Sequence, residues 1–230
     1  MSIPGQTTLL AIRTLVRSMT DTVNNQVVTD TELNSYINLD YQELYGLLVT
    51  SYGDNYFFQT PFQFQTDGTS FQFPLPTDFF KLRGVDLSLT GASNSFVTLK
   101  PFNFAQRNRL NDAFYPSQSF NVLQNIRYQI NGNNIMLTPL AQAGQWIQLW
   151  YVPRCPVLVN DTDIVDGVNG WEQYIIASVC AKVMVKQEMD PSPFAAEKES
   201  MRERIIDEAA NRNAGDPSTV TDVYDTGWDF

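Results

Sequence analysis

The hydrophobic pattern of this chain changes period twice, and those changes constrain its fold more than any other feature. Apolar residues recur at helical spacing up to about Gly53, alternate from about Tyr56 to Val152, and return to helical spacing from Trp171. Since the chain leaves and re-enters a helical layer, its first and last helices should pack together and carry the β-part as an insertion. The pattern predicts an α+β fold: an antiparallel helical bundle, an inserted antiparallel β-domain and an extended C-terminal tail.

These changes divide the chain into four segments. We expect N-terminal helices at 1–55, the β-domain at 56–160, C-terminal helices at 161–212 and the tail at 213–230. With 230 residues, 43% of them hydrophobic, the chain can bury a core. It lacks an apolar run of roughly 20 residues and an N-terminal signal pattern, so we expect neither membrane insertion nor secretion.

Local signals place the helix ends. Thr29 and Glu32 have the spacing of a capping box, which predicts a helix from that point, and Asp40 interrupts its apolar stripe. A further helix should start near Trp171, and Pro193 suits the first turn of the last one. The first helix has an apolar stripe at Leu9, Leu10, Ile12, Leu15, Val16 and Met19.

In the middle region, Asp67-Gly68 between two alternating runs predicts a β-hairpin. The alternation places Phe62, Phe64, Phe71 and Phe73 on one face as the core of the sheet, with the intervening glutamines facing outward. Further strands are expected at 81–89, 96–99, 127–130, 135–137 and 146–152.

Charge is unevenly distributed along the chain. Residues 1–55 hold two basic and six acidic side chains, residues 56–155 seven and four, and residues 156–230 six and fifteen. Proteins that grip nucleic-acid phosphates use Lys and Arg to displace counterions, so acidic flanks argue against that function. They suit a wall that DNA slides past, and equally an ordinary soluble protein.

Little in the composition suggests chemistry, because the chain has 0 His and 2 Cys. Asp161, Asp163 and Asp166 are close in sequence, but the spacing of an EF-hand is incomplete, so we expect no metal and no cofactor. An acid-pair hydrolase that uses Asp161 or Asp163 remains an alternative, although we expect no catalysis. A disulfide between Cys155 and Cys180 is also left open, with Cys180 favoured as an apolar filler.

The tail combines large aromatic and acidic side chains with no Lys or Arg after Arg212. An aromatic segment with no core of its own needs a partner's groove to cover it, and the acids call for a basic receiving surface. The candidate docking residues are Tyr224, Trp228, Phe230, Asp222, Asp225 and Asp229.

Four arginines give the β-part its positive charge, and they are candidates for contact with the acidic helical region of a neighbouring subunit. They are Arg83, Arg107, Arg109 and Arg127.

The many aromatic residues leave a different function open, in which the sheet binds carbohydrate as a binding module or a tail-fibre component. Alternation along the strands favours core positions for most of these aromatic residues.

Several segments together resemble the head-to-tail adaptor, or connector, proteins of tailed bacteriophages. The resemblance spans almost the whole chain and lies in its order of segments, none of which is a catalytic signature. The segments are Thr29–Asn38, Tyr41–Tyr45, Leu75–Asp86, Leu99–Phe102, Trp150–Pro153 and Trp171-Glu172.

This resemblance implies a structural virion protein at the head–tail interface. Proteins of this kind form dodecameric rings below the portal, lengthen the DNA channel, receive the tail or nozzle protein, and insert a C-terminal extension into the portal. The long β-insertion departs from the smallest adaptors, which are mostly helical.

Overall fold

The computed structural model describes residues 7–23, 27–52, 61–88, 95–103, 105, 126–165 and 170–211. The chain divides into two compact units, one formed by Met1–Gly53 with Val157–Phe230 and the other by Asp54–Pro156. None of the described helices is both long and apolar enough to cross a membrane. The first unit is helical and the second is built from strands.

Four helices make up the described part of the helical unit: α1 (Leu9–Met19), α2 (Asp30–Ser51), α3 (Glu172–Lys186) and α4 (Ser192–Ala210). Helix α3 contacts the other three, and α2 also contacts α1 and α4. Helices from the two ends of the sequence therefore share one core.

Caps fix where the helices begin. The Thr29 hydroxyl accepts a hydrogen bond from the amide of Glu32 at 3.2 Å, so the predicted start of α2 is confirmed. Thr8 caps α1 in the same way through the amide of Ala11. Pro193 lies in the first turn of α4, where its missing N–H breaks no helical hydrogen bond.

The core of the helical unit lies where the four helices meet. Removal of the apolar side chains of this core from water is the main stabilising contribution to the unit. In α1, however, only half of the predicted stripe is buried, because Leu10, Leu15 and Met19 are exposed. The buried apolar residues of the helices include Leu9, Ile12, Val16, Leu33, Ile37, Leu44, Leu48, Trp171, Tyr174, Ile175, Val179, Cys180, Val183, Met201, Ile205 and Ala209.

The described part of the second unit contains two four-stranded sheets. The strands are β1 (Phe62–Gln65), β2 (Gln72–Pro74), β3 (Phe79–Ser88), β4 (Phe96–Thr98), β5 (Lys100–Pro101), β6 (Arg127–Asn131), β7 (Asn134–Thr138) and β8 (Trp146–Pro153). One sheet has the order β1-β8-β3-β4 and the other β2-β7-β6-β5. Their shared core includes Val85, Leu87, Ile135, Leu137, Ile147 and Leu149.

The predicted hairpin around Asp67-Gly68 is wrong. β1 pairs with β8, and β2 pairs with β7 in the other sheet. Asp67 accepts the amide hydrogens of Thr69 and Ser70, and Gly68 has a φ of 75°. This tight Asx turn leads the chain from one sheet to the other instead of back along the same sheet.

The prediction of a phenylalanine core is correct only in part. Phe73 is buried and its ring lies 4.9 Å from that of half-buried Phe64, centroid to centroid. Phe62 and Phe71 are exposed by 38% and 45%. Since β1 and β2 lie in different sheets, their aromatic residues do not form the single packed face that a hairpin would have given.

The remaining strand predictions agree with the structure. β6 and β7 pair antiparallel across the Gly132 turn, and β8 alternates as expected, with Ile147 and Leu149 inward. One pair, β5 with β6, is parallel, so the β-part is not wholly antiparallel. The α+β fold class is confirmed.

Candidate functional site

A row of polar contacts joins α2 to α3 and α4. We call it the paired-charge seam, and it contains three ion pairs between lysines of α3 or α4 and acids of α2. The acids of α2 face lysines on two other helices, so the seam links all three helices. The pairs are Lys186 with Glu32 at 2.5 Å, Lys182 with Asp40 at 2.5 Å, and Lys198 with Glu43 at 2.9 Å.

Asp40 is the buried member of the seam. Its side chain is 1% exposed, and this burial raises the pKa of its carboxyl, while Lys182 acts in the opposite direction. An isolated carboxylate at this depth would be strongly unfavourable. Asp40, which interrupted the apolar stripe in the sequence, is tolerated because α3 places Lys182 against it.

At the other end of the seam, buried Tyr174 contacts Glu43, whose side chain is 52% exposed. The Tyr174 hydroxyl donates to Glu43 Oε1 at 2.7 Å, and the Lys198 ammonium lies 5.0 Å from the Tyr174 ring centroid. Burial and the adjacent carboxylate raise the pKa of Tyr174. Although burial opposes it, hydrogen bonds from Tyr174 and Lys198 lower the pKa of Glu43.

Two arginines of α1 connect that helix to other segments of the unit. Arg17 is buried; its guanidinium donates to the carbonyls of Thr22 and Val28 and binds Asp30. Arg13 binds Asp161 at 2.7 Å. Both arginines therefore neutralise acidic side chains of the same unit.

Every Lys and Arg in the described part of the helical unit is in an ion pair with a carboxylate of the same unit. Seven basic side chains are paired in this way, against fifteen acidic ones in the same residues. The described unit thus has excess negative charge and no cation outside an ion pair to offer a phosphate. The basic residues are Arg13, Arg17, Lys182, Lys186, Lys198, Arg202 and Arg204.

The acids singled out in the sequence have structural partners. Asp163 accepts the amide hydrogens of Val159 and Asn160, which lowers its pKa, and its backbone carbonyl accepts the amide of Leu9. Asp161 binds Arg13, and Asp166 lies outside the described residues. Among the described residues no group of three or more potential metal ligands occurs.

Neither cysteine is in a disulfide. Cys180 is buried, and burial raises the pKa of its thiol to about 12, as expected of an apolar filler. Cys155 is half-buried in the other unit.

The residues proposed for contact with other proteins are only partly described. Arg83 lies on β3 and Arg127 begins β6, and both are half-buried. Arg107 and Arg109 lie outside the described residues, as do the tail residues Tyr224, Trp228, Phe230, Asp222, Asp225 and Asp229. Sequence reasoning missed the seam, although the four-residue spacing of Lys182 and Lys186 was a readable signal for its α3 side.

Two of the segments that carried the family resemblance lie side by side in the strand unit. β3, from the Leu75–Asp86 segment, pairs with β8, from the Trp150–Pro153 segment. The Trp150 indole N–H donates to Asp86 at 2.6 Å, and the Tyr151 hydroxyl donates to Asp78 at 2.9 Å. These hydrogen bonds therefore link β8 to β3 and to the segment that precedes it.

The described chain therefore combines an α+β fold with a helical unit whose basic side chains are paired internally. A family model described as SU10 adaptor protein matches residues 7–222, and the chain belongs to that family. Membership supports a structural adaptor of the phage particle, placed at the head–tail junction and in contact with portal and tail proteins. No curated protein matches the sequence.

Proposed function

We propose that the protein assembles as a ring, of twelve copies by analogy, which joins the portal to the tail or nozzle protein and extends the DNA channel. Family membership supports the adaptor role. One observation supports the proposed DNA channel. All seven described basic side chains of the helical unit are in ion pairs, and the same residues contain an excess of carboxylates.

A channel wall must let DNA pass without holding it. Binding to duplex DNA depends on cations that neutralise phosphates and release counterions. On α4, the arginines that could do so are held by neighbouring acids: Arg202 by Glu199 at 2.9 Å and Arg204 by Glu208 at 2.8 Å. The helical unit therefore fits a wall that repels the DNA backbone and reads no base sequence.

This part of the proposal is tested by DNA affinity at several salt concentrations. We expect the wild-type protein to bind duplex DNA weakly and with little dependence on salt. A Glu199→Gln, Glu208→Gln variant removes two negative charges and one carboxylate partner each of Arg202 and Arg204, and it should bind more tightly and with a steeper salt dependence. Glu208 also accepts the Trp171 indole N–H at 2.8 Å, and the amide oxygen of the substituted side chain can still accept that hydrogen bond. Tight, steeply salt-dependent binding by the wild-type protein would contradict the proposal.

We further propose that the tail docks into the portal. Tyr224, Trp228 and Phe230 are the apolar anchors, and the acids Asp222, Asp225 and Asp229 would meet a basic portal surface. Deletion of residues 216–230 should abolish co-sedimentation with portal rings and leave the thermal unfolding midpoint unchanged. A full-length Trp228→Ala, Phe230→Ala variant separates the aromatic anchors from tail length. Co-sedimentation equal to that of the wild type would count against docking.

The β-unit arginines are proposed to contact the acidic helical unit of the next copy. Arg83→Glu and Arg127→Glu should then weaken assembly, with Arg154→Glu as a control from the same unit. Equal assembly by all three variants would remove the arginines from the interface.

A further inference from the structure

The exposed face of α1 carries no charge. Both arginines of this helix are turned into ion pairs, as described above, so its outer surface presents only apolar side chains and hydroxyls. Three of these side chains are large, and each is exposed by 44–46%: Leu10, Leu15 and Met19. The full exposed set is Leu10, Thr14, Leu15, Ser18 and Met19, which we call the α1 face.

Helix α2 has a second uncharged surface. Six residues spaced three or four apart share one side of the helix from its first turn to its last. Leu39 in the middle is 58% exposed, and a Cβ on Gly46 would meet nothing within 4 Å. Thr31, Ser35, Leu39, Gln42, Gly46 and Thr50 form this row, which we call the α2 face.

Helix α4 shows what a solvated face in this unit looks like. Its exposed side chains include four acids and two arginines, as expected for a surface in water. They are Glu197, Glu199, Arg202, Glu203, Arg204 and Asp207. Helix α2 also has two exposed carboxylates, Asp30 and Glu43, but they lie outside the α2 face and are in ion pairs with Arg17 and Lys198. The α1 and α2 faces therefore differ from the exposed surface of α4 in carrying no charge.

Charge indicates what covers the two faces. The chain has a net charge of −10, so two copies repel each other wherever their acidic surfaces meet. Uncharged surfaces can pack against each other without this repulsion. A basic partner would instead be attracted to acidic surfaces such as that of α4. The uncharged faces therefore fit a second copy of this chain.

The two faces also differ in shape. The α1 face carries large projecting side chains, whereas most of the α2 face is small, with open space over Gly46. A closed ring requires two different surfaces on each copy, since each subunit contacts its neighbours head to tail.

We propose that the α1 face of one copy packs on the α2 face of the next, with Leu10, Leu15 and Met19 lying along the row that contains Gly46. This interface rests on the ring proposed above and names the surfaces that would form it.

Single variants test each face. Leu15→Glu and Leu39→Glu place a charge on an already exposed position, and each should raise the protein concentration needed for assembly by at least about tenfold. Ser200→Glu adds the same charge on the exposed side of α4 and should leave assembly unchanged. Mass photometry measures assembly, and circular dichroism confirms that each variant is folded. Gly46→Arg supplies an independent block at a position with open space.

Mixing two variants tests whether the faces are complementary. Leu15→Glu retains an intact α2 face and Leu39→Glu an intact α1 face, so an equimolar mixture should form dimers but no ring. At the concentration at which the wild-type protein just assembles, each variant alone should stay monomeric. Absence of dimers from the mixture, or rings formed by either variant at that concentration, would overturn the inference. If the wild-type protein forms no ring even with portal present, the proposed function fails as well; if it does and the variants match it, only the interface fails.

Discussion

Lys182 on α3 lies against the carboxylate of Asp40 on α2, 142 residues away in sequence. The carboxylate side chain is 1% exposed, whereas the lysine is 39% exposed. The two partners are therefore unequal: the lysine can turn to water if its partner is removed, but the aspartate cannot.

Lys182→Ala should destabilise the protein by about 3 kcal/mol, because it leaves Asp40 buried without its counter-ion. Urea unfolding at neutral pH measures the loss. Lys186→Ala is the matched control one turn further along α3, and its partner Glu32 is 31% exposed. Its cost should be about 0.5 kcal/mol. Equal effects would show that burial of Asp40 does not decide the outcome.

The cost of Lys182→Ala should shrink as the pH is lowered. Burial raises the pKa of folded Asp40 above its ordinary value of 3.8, so the folded state takes up a proton more readily than the unfolded state. Its contribution to stability is therefore greatest below pH 3.8 and is lost as the pH rises through the folded pKa. Unfolding free energies of variant and wild type between about pH 4 and pH 7 should converge at the acidic end. A constant difference would contradict this account.

Tyr174→Phe should cost about 1 kcal/mol, because it removes the hydrogen bond to Glu43 and retains the ring beneath Lys198. Tyr36→Phe is the control, since the Tyr36 hydroxyl also donates to a glutamate, Glu32, at 2.8 Å but is only half-buried. We expect a smaller shift in its urea midpoint. Thermal or urea unfolding that ranks the two in the reverse order would argue against a stabilising role for the hydrogen bond between Tyr174 and Glu43.

Gly68→Ala should destabilise the turn between β1 and β2 more than Gly132→Ala destabilises the turn between β6 and β7. Both glycines have a positive φ, of 75° and 58°, which costs an alanine about 1 kcal/mol. At Gly68 the new Cβ would also lie 3.0 Å from the backbone nitrogen of Ala143, whereas at Gly132 it meets nothing within 4 Å. Thermal unfolding of the two variants measures the difference, and identical shifts would show that the contact relaxes freely.

Local sequence signals were sufficient for most elements of this protein. The helical spacing before Gly53 and after Trp171, the capping box at Thr29, and the alternation of β8 depend on residues a few positions apart. Such patterns act through helix and strand geometry, which each segment has by itself. They also sufficed for the α+β class and the acidic balance.

Partner choice depended on the tertiary structure. Alternation showed that β1 and β2 are strands. It did not show that they join different sheets, because this depends on the turn at Gly68 and on pairing with the distant strands β8 and β7. The stripe of α1 showed a helix, but only contact with α2 and α3 decided which side is buried. Likewise Asp40 was visible as an interruption, and only the packing of α3 against α2 supplied Lys182. Periodicity along the chain carries no information on which distant segment will satisfy a buried charge or an open strand edge, since those energies arise only once the segments pack.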